Sequence, residues 1–278
     1  MTKAASLPAG IGNGDPPTGN AGVPLAAYSF LGIRVNPLTV PKLNALVSAS
    51  IAGNRQIVIA CHNLHSVYVF HHDAKMRLLQ KRVEYLHIDG MGIVLLGRLL
   101  GYPLRRQHRV TYLDWIEPLL KQAVSQKWRV YYVGLRGSIC AGIQEAFRRD
   151  FPDLQFKAAH WDIDNKPVSE LEATIPEDIN AFQPHILFIG MGMPRQEHWI
   201  LDHADKISAN VMLPCGAAMD YKAGAVKAPP RWVGRWGMEW LFRLLSEPRH
   251  LWRRYLIEPW YVLRLFCLEL IAAHSKSR

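Results

Sequence analysis

The sequence predicts an α/β fold with a mostly parallel sheet, followed by a basic, tryptophan-rich helical tail. Three observations carry the prediction. Short apolar runs recur, each ending in a glycine or polar residue just before a helical stretch. Strand-like and helix-like stretches alternate, as in a sheet whose strands are joined by crossover helices. After Asp220 the alternation stops, and helices punctuated by Pro248 and Pro259 take over.

Taken in order, residues 1–24 are rich in Gly, Pro, Ala and Asn, so a disordered arm is expected over residues 1–26. The arm lacks the apolar stretch of a signal peptide, which predicts a cytoplasmic protein. Strands are expected at residues 57–60, 84–88, 129–133, 186–189 and 211–214. Helices are expected at residues 64–81, 93–100, 114–125, 138–149 and 196–206. These form a core over residues 27–220. In such sheets the ligand lies beyond the carboxyl ends of the strands. Asn63, Asp89, Gly134, Gly190 and Gly216 all fall at such ends, which predicts a shared site.

One strand end is the most informative. The run from Ile186 to Ile189 is unbroken and apolar, Gly190 and Gly192 follow, and Pro194 opens a helix. A strand that meets a helix through a glycine turn points free backbone N–H groups at whatever sits there, an arrangement that attracts phosphate. Gln196 and Glu197 add side-chain hydrogen bonding. The turn is a poor dinucleotide fingerprint, because Arg195 stands where a third glycine is wanted and no ribose-binding acid follows the next strand. That weighs against the NAD-dependent oxidoreductase alternative.

Of the 278 residues, 49% are hydrophobic and the net charge is +10. Eleven Lys/Arg against four Glu between Lys222 and Arg278 put +7 of that charge in the last 57 residues. Residues 221–278 are therefore read as a basic appendage with helices at 236–245, 249–257 and 260–273. Leu251, Trp252, Tyr255 and Leu256 are placed on one face, away from Arg249 and Arg253. Basic residues beside Trp, Phe and Leu describe a helix lying on anionic lipid, and no apolar run is long enough to span a bilayer. A nucleic-acid-binding protein is the competing reading of the charge, disfavoured because the basic residues sit in apolar helices. Cys61, Cys140, Cys215 and Cys267 are scattered, which fits reduced thiols. The ligand-like spacings of His62 with His65, and of His71 and His72 with Asp73, are read as coincidence. No metal and no cofactor are expected.

Several motifs together resemble a known family. They are Asp89-Gly90-x-Gly92 with Gly97-Arg98-Leu-Leu-Gly101, Arg109-Val-Thr111, and Gly190-x-Gly-x-Pro-Arg-Gln-Glu-x-Trp199. The tail adds Glu239-Trp-Leu-x-Arg243-Leu-Leu-x-Glu-Pro-Arg249-x-Leu-Trp-Arg-Arg254-Tyr255. This set resembles the WecG/TagA/CpsF glycosyltransferases. The resemblance implies a Rossmann-like core whose C-terminal helical appendage reaches the membrane and completes the active site. It implies inverting, metal-independent transfer of a hexose, such as N-acetylmannosamine or glucose, from a UDP-sugar to a polyprenyl-diphosphate-linked saccharide. That chemistry belongs to bacterial surface polysaccharide synthesis at the inner face of the cytoplasmic membrane. A homo-oligomer is compatible with it.

By the same resemblance Asp89 matches the general base, and Asn63 and Gln196 match substrate-binding positions. Arg243 and Arg253 match arginines that steady the leaving diphosphate, with Arg249 a substitute for the arginine that His250 replaces. Cys61 stands where a threonine is usual, and Tyr112 where a glycine is usual and where it would reshape the donor pocket. Two readings stay open at other positions. Thr111 and Asp114 either bind donor hydroxyls or cap a helix. Gly134, Gly216 and Asp220 either contact nucleotide or close tight turns. Truncation before Lys222 is expected to abolish transfer and leave the core folded.

Overall fold

A computed structural model describes residues 25–161, 168–226, 228–230, 233–234 and 237–276. The expected disordered arm up to residue 24, the start of the tail helix at Trp236 and the side chain of His250 lie outside the described residues. A six-stranded parallel sheet forms the centre, in the order β4-β3-β8-β7-β5-β6. Its strands are β3 (Ile57–His62), β4 (Tyr85–Ile88), β5 (Arg129–Gly134), β6 (Gln155–His160), β7 (Ile186–Gly190) and β8 (Val211–Pro214). The chain is thus α/β and consistent with a Rossmann-like fold. All five expected strands are present. The missed strand, β6, is the half-exposed edge; with one face open to water it needs no continuous apolar run.

Alternate residues of each strand serve opposite faces, as the pleat requires. Ile57, Ile59, Val130, Tyr132, Ile186 and Phe188 share one apolar cluster with α1 (Val40–Ala52), α5 (Tyr112–Ser125) and α6 (Gly137–Asp150). Val58, Ala60, Tyr131, Val133, Leu187 and Ile189 share another with α3 (Ala74–Arg82), α7 (Val168–Phe182) and α8 (Arg195–His203). The helix expected over residues 64–81 is two. Asp73 is extended between α2 (Leu64–His72) and α3, and its Oδ1 accepts from the Met76 N–H at 2.8 Å. An N-cap side chain breaks a helix that apolar spacing alone reads as continuous. Likewise α4 (Met91–Leu99) starts directly after Gly90 rather than at residue 93.

A third apolar cluster joins core and tail. The hairpin β1 (Tyr28–Phe30) and β2 (Ile33–Val35), which sequence reading missed, packs with α2 and α4. Val262 and Phe266 of the tail are buried in the same cluster. The tail consists of α9 (Ala218–Lys222), α10 (Glu239–Ser246), α11 (Pro248–Trp252), a π-helical turn over Arg253–Ile257, and α12 (Glu258–Lys276). The expected helices at 249–257 and 260–273 are therefore one continuous helix. Pro259 does not end it, because the wider π turn just before it accommodates the missing N–H and the ring.

Two polar contacts fix the long helix to the core. The Leu31 N–H donates to Glu269 Oε2 at 2.6 Å, and His65 Nδ1 lies 2.5 Å from Glu258 Oε2. The predicted shared face is divided. Leu251 is buried, whereas Trp252 and Leu256 point outward, 47% and 50% exposed. Trp260, Leu263, Leu268 and Ile271 extend that outward apolar face. Among the described residues, no helix is long and apolar enough to cross a membrane.

Cutting the chain before Lys222 would uncover this shared cluster, a cost to set against the expectation that such a truncation leaves the core folded. A single substitution tests the point. Phe266→Ala should lower unfolding free energy by about 3 kcal/mol in denaturant titration. A change under about 0.5 kcal/mol, the size typical of a surface substitution, would mean that α12 is not part of the core.

Candidate active site

Asp89 follows the last residue of β4, and its N–H donates to the His62 carbonyl at 2.8 Å. The neighbouring strand β3 ends at His62, and the next residue, Asn63, caps α2. Asn63 Oδ1 accepts from the Ser66 N–H at 3.0 Å while Nδ2 donates to Asp89 Oδ2 at 3.4 Å. One asparagine thus terminates a strand, starts a helix and orients the carboxyl. Burial pushes the Asp89 pKa up to about 7, and the charge of Glu239 pushes the same way. Asn63, Arg109 and Arg254 oppose the rise. A carboxyl with such a pKa is half ionised at neutral pH.

Arg109, which sequence reading did not single out as a site residue, is the organiser of the next wall. A parallel bridge to Ile88 places it beside Asp89. Its guanidinium donates to Asp114 Oδ2 at 3.0 Å and to Glu239 Oε2 at 3.3 Å. The Thr111 hydroxyl also donates to Asp114 Oδ2, at 3.0 Å. Thr111 stands at the N-cap of α5 but makes no side-chain cap bond; its hydroxyl instead positions Asp114. Glu239 belongs to α10, so this fork ties core to tail. Beside it opens a cavity of about 750 Å³, with Arg105, Arg106, Arg109 and Asp114 on one side and Pro229, Gly234 and Glu239 on the other.

The glycines separate into two kinds. Gly134 and Gly190 are register partners on β5 and β7. A Cβ on either would lie within 2.5 Å of the Tyr132 hydroxyl, so both make room for that ring. Gly192 and Gly216 have φ of +75° and +55°, with open space where a Cβ would stand. Those two turns need glycine for their backbone shape.

Between the turns, Gln196 Oε1 accepts from the Gly216 N–H at 2.9 Å and Nε2 donates to Glu197 Oε1 at 2.8 Å. The amide laces the β7 turn to the β8 turn. Glu197 is 2% exposed, its Oε2 has no hydrogen-bond partner, and burial pushes its pKa up to about 7. Cys61 and Cys215 lie buried in the floor, where burial keeps both thiols protonated. Tyr112 is packed on Trp115 with ring centroids 5.5 Å apart, so it belongs to the core beneath the site rather than to the pocket wall expected for it.

Two arginines of the tail act electrostatically on Asp89. Arg243 lies over the Tyr221 ring, 5.8 Å from its centroid. Burial disfavours its charge, but Tyr255, Tyr221, Glu247 and Asp89 together outweigh that and raise its pKa. Arg254 is buried with its Nε unpartnered, and it acts electrostatically on Asp89, Cys61 and Glu197. Arg253 and Arg249 are exposed. The inward arginine is therefore Arg254 rather than the expected Arg253, because position 254 shares a helix face with buried Leu251 three residues before it. Asp220 pairs with Arg136 at 2.8 Å across the opposite rim.

Among the described residues no group of His, Cys, Asp and Glu is arranged to hold a metal. His62 is bonded to Ser66 and Gln80, His71 to the Leu31 carbonyl and His72 to the Tyr68 carbonyl. A stability test follows from Glu197. Its folded pKa lies above its ordinary value, so the folded state holds a proton that the unfolded chain has lost, and stability falls as pH rises from about 4.5 to about 7. Glu197→Gln should gain stability relative to the parent over that window, read as a melting-temperature difference that grows with pH and levels off above 7. A difference independent of pH would contradict the assignment.

Comparison with known proteins agrees with this geometry. The family model for the glycosyl transferase WecG/TagA/CpsF family matches residues 28–276. Relatives from Staphylococcus aureus strains MW2 and NCTC 8325 / PS 47 are each 29% identical over 187 residues, covering 67% of this chain and 69% of the relative. Both are described as N-acetylglucosaminyldiphosphoundecaprenol N-acetyl-beta-D-mannosaminyltransferase. With a match that runs from the β1–β2 hairpin to the end of α12, the chain belongs to the WecG/TagA/CpsF glycosyltransferase family.

Proposed function

We propose that the protein moves a hexose, of the N-acetylmannosamine or glucose type, from a UDP-sugar to a polyprenyl-diphosphate-linked saccharide, with inversion, in surface or exopolysaccharide synthesis. The supporting observation is one carboxyl near neutrality, Asp89, within electrostatic reach of Arg254, whose buried Nε has no hydrogen-bond partner. The S. aureus relatives named above, whose names describe a lipid-diphosphate acceptor and transfer of an N-acetylmannosaminyl group, support the substrate classes.

In this reading Asp89 takes the proton of the acceptor hydroxyl. The freed oxygen attacks the anomeric carbon from the side opposite the leaving group, and the bond to UDP breaks with its electron pair on the diphosphate. Arg243 and Arg254 take up the charge, a role that guanidinium forks fill well. One carboxylate and one displacement imply inversion, and the arginines fill the place a metal would otherwise take. Asn63 orients the base. Gln196 and Glu197 hold the two glycine turns, Gly190 to Gly192 and Gly216, against the donor. Thr111 and Asp114 act with Arg109, and Asp220 with Arg136 at the rim; exposed Arg249 and Arg253 face outward, where anionic lipid would lie.

Asp89→Asn should cut kcat/KM by about 10²–10⁴-fold with UDP-N-acetylmannosamine and a short polyprenyl-diphosphate saccharide. The parent's kcat/KM should rise with pH and level off above about 7, since the base acts only when ionised. Robust transfer by the Asn variant would remove Asp89 as the base.

The outward apolar face of the tail, with Arg249, Arg253 and Arg264 beside it, fits a peripheral position on the inner face of the cytoplasmic membrane. Trp260→Ser with Ile271→Ser should weaken sedimentation with anionic-lipid vesicles while leaving the melting temperature close to the parent's, because both side chains are exposed, at 70% and 66%. Unchanged vesicle binding would place the membrane contact elsewhere.

A further inference from the structure

Asp89 is held at two points, and both lead back to a buried imidazole that no step above uses. Its main-chain N–H donates to the His62 carbonyl at 2.8 Å, and its Oδ2 accepts from Asn63 Nδ2 at 3.4 Å. Asn63 is in turn gripped by Ser66. The Ser66 N–H donates to Asn63 Oδ1 at 3.0 Å, the Asn63 N–H donates to Ser66 Oγ at 2.9 Å, and the Ser66 hydroxyl donates to the Asn63 carbonyl at 2.8 Å. The first of these bonds decides which end of the amide meets the carboxyl. With Oδ1 engaged by an N–H, Nδ2 is the end turned to Asp89.

Behind Ser66 stands His62. Its Nδ1 lies 2.9 Å from Ser66 Oγ, and its Nε2 meets the Gln80 amide nitrogen. The bonding pattern assigns the tautomer. An amide nitrogen only donates, so Nε2 is the acceptor and Nδ1 carries the proton. The Ser66 hydroxyl gives its one proton to the Asn63 carbonyl, so it meets Nδ1 as an acceptor. Both ends of the ring thus call for the same tautomer. Burial, then His87 and Arg34, push the His62 pKa down to about 3, so the ring is neutral and holds one proton. A capping box needs only the asparagine and the serine. The imidazole and the amide behind them form a further layer, with His62 and Ser66 both 0% exposed.

We infer that Gln80, His62 and Ser66 are positioning residues for the base: their hydrogen-bond path fixes the Asn63 amide on Asp89 Oδ2, and Oδ1 is the oxygen that takes the acceptor proton. Among the described residues, Asn63 is the one side chain hydrogen-bonded to the Asp89 carboxyl, and it occupies Oδ2 alone. An N–H on a carboxylate oxygen favours the ionised form, so loosening the path raises the pKa of the base. Glu239, Arg109 and Arg254 act on Asp89 from their own elements, and Arg243, Cys61 and Tyr112 feel its charge. None of these six is altered by the substitutions that test the path.

This inference rests on the proposed role of Asp89, so its test includes a measurement that does not depend on turnover. The Asp89 carboxyl is titrated by carbon-13 NMR in the full chain with labelled aspartate, its signal assigned by its loss in Asp89→Asn. Ser66→Ala and His62→Leu remove the grip, and Gln80→Met, at a half-buried position, frees the far side of the ring. His62→Asn keeps a donor close to the place of Nδ1. In the first three variants the midpoint should move up by about half a unit to one unit, the scale of a weakened hydrogen bond to a charged group. The rise of kcat/KM with pH should move with it, and kcat/KM at neutral pH should fall about tenfold or more in Ser66→Ala and His62→Leu. His62→Asn should recover part of both effects. Melting temperature serves as the folding control, and Gln80→Met carries the test if the buried variants do not fold. An unmoved Asp89 midpoint in folded variants would overturn the inference. Loss of activity that follows melting temperature alone, without recovery in His62→Asn, would also overturn it and leave the path a structural cap. If the midpoint moved as expected while Asp89→Asn transferred sugar as well as the parent, the positioning of the carboxyl would stand and its role as base would fall.

Discussion

Withdrawing carboxyl groups from water at the ends of parallel strands raises their pKa, and the fold surrounds those groups with guanidinium charge it must import from elsewhere in the chain. Asp89 and Glu197 both rise to about 7 through burial. The core supplies Arg109, but Arg243 and Arg254 come from the tail. An ionised carboxylate in such a place is tolerable only when countered, so the tail is an electrostatic complement to the sheet as well as a packing partner. Glu239 adds the opposite influence: it pairs with Arg109 and at the same time pushes Asp89 up. The base is thereby kept near neutrality instead of being drawn down by three arginines.

Packing and electrostatics converge on the same few elements. The long helix that carries Arg254 also buries Val262 and Phe266 among residues of the hairpin, α2 and α4. It cannot leave the core without exposing apolar surface and stripping a buried charge of its countercharges. The other face of the same helix is apolar and outward. Docking to the core thus uses one face of the helix and leaves its outward apolar face uncovered.

The two glycine turns show how backbone shape and side-chain chemistry divide the labour. Gly192 and Gly216 adopt positive φ in open space, while Gln196 bonds across from one turn to the other and to Glu197. The turn at β7 is therefore a rigid wall. In the proposed mechanism proton transfer falls to Asp89, three strands across the sheet, and charge stabilisation to the tail.

Much of the fold was legible because its signals are local. Buried parallel strands such as Ile186–Gly190 appear as apolar runs, and Asp89 and Asn63 sit at strand ends that such runs reveal. Edge strand β6 and the β1–β2 hairpin carry no comparable run, and the break at Asp73 depends on a cap bond that spacing does not show. The amino-acid order alone determined an alternating α/β core, a basic apolar tail and the family motifs. Only the tertiary structure decided that Arg254 rather than Arg253 turns inward, that Tyr112 belongs to the core, that Glu239 meets Arg109, and that Gly134 and Gly190 yield space to Tyr132. Each of these depends on which face of an element is covered by a segment far away in sequence, and long-range packing is the one constraint a local pattern does not contain.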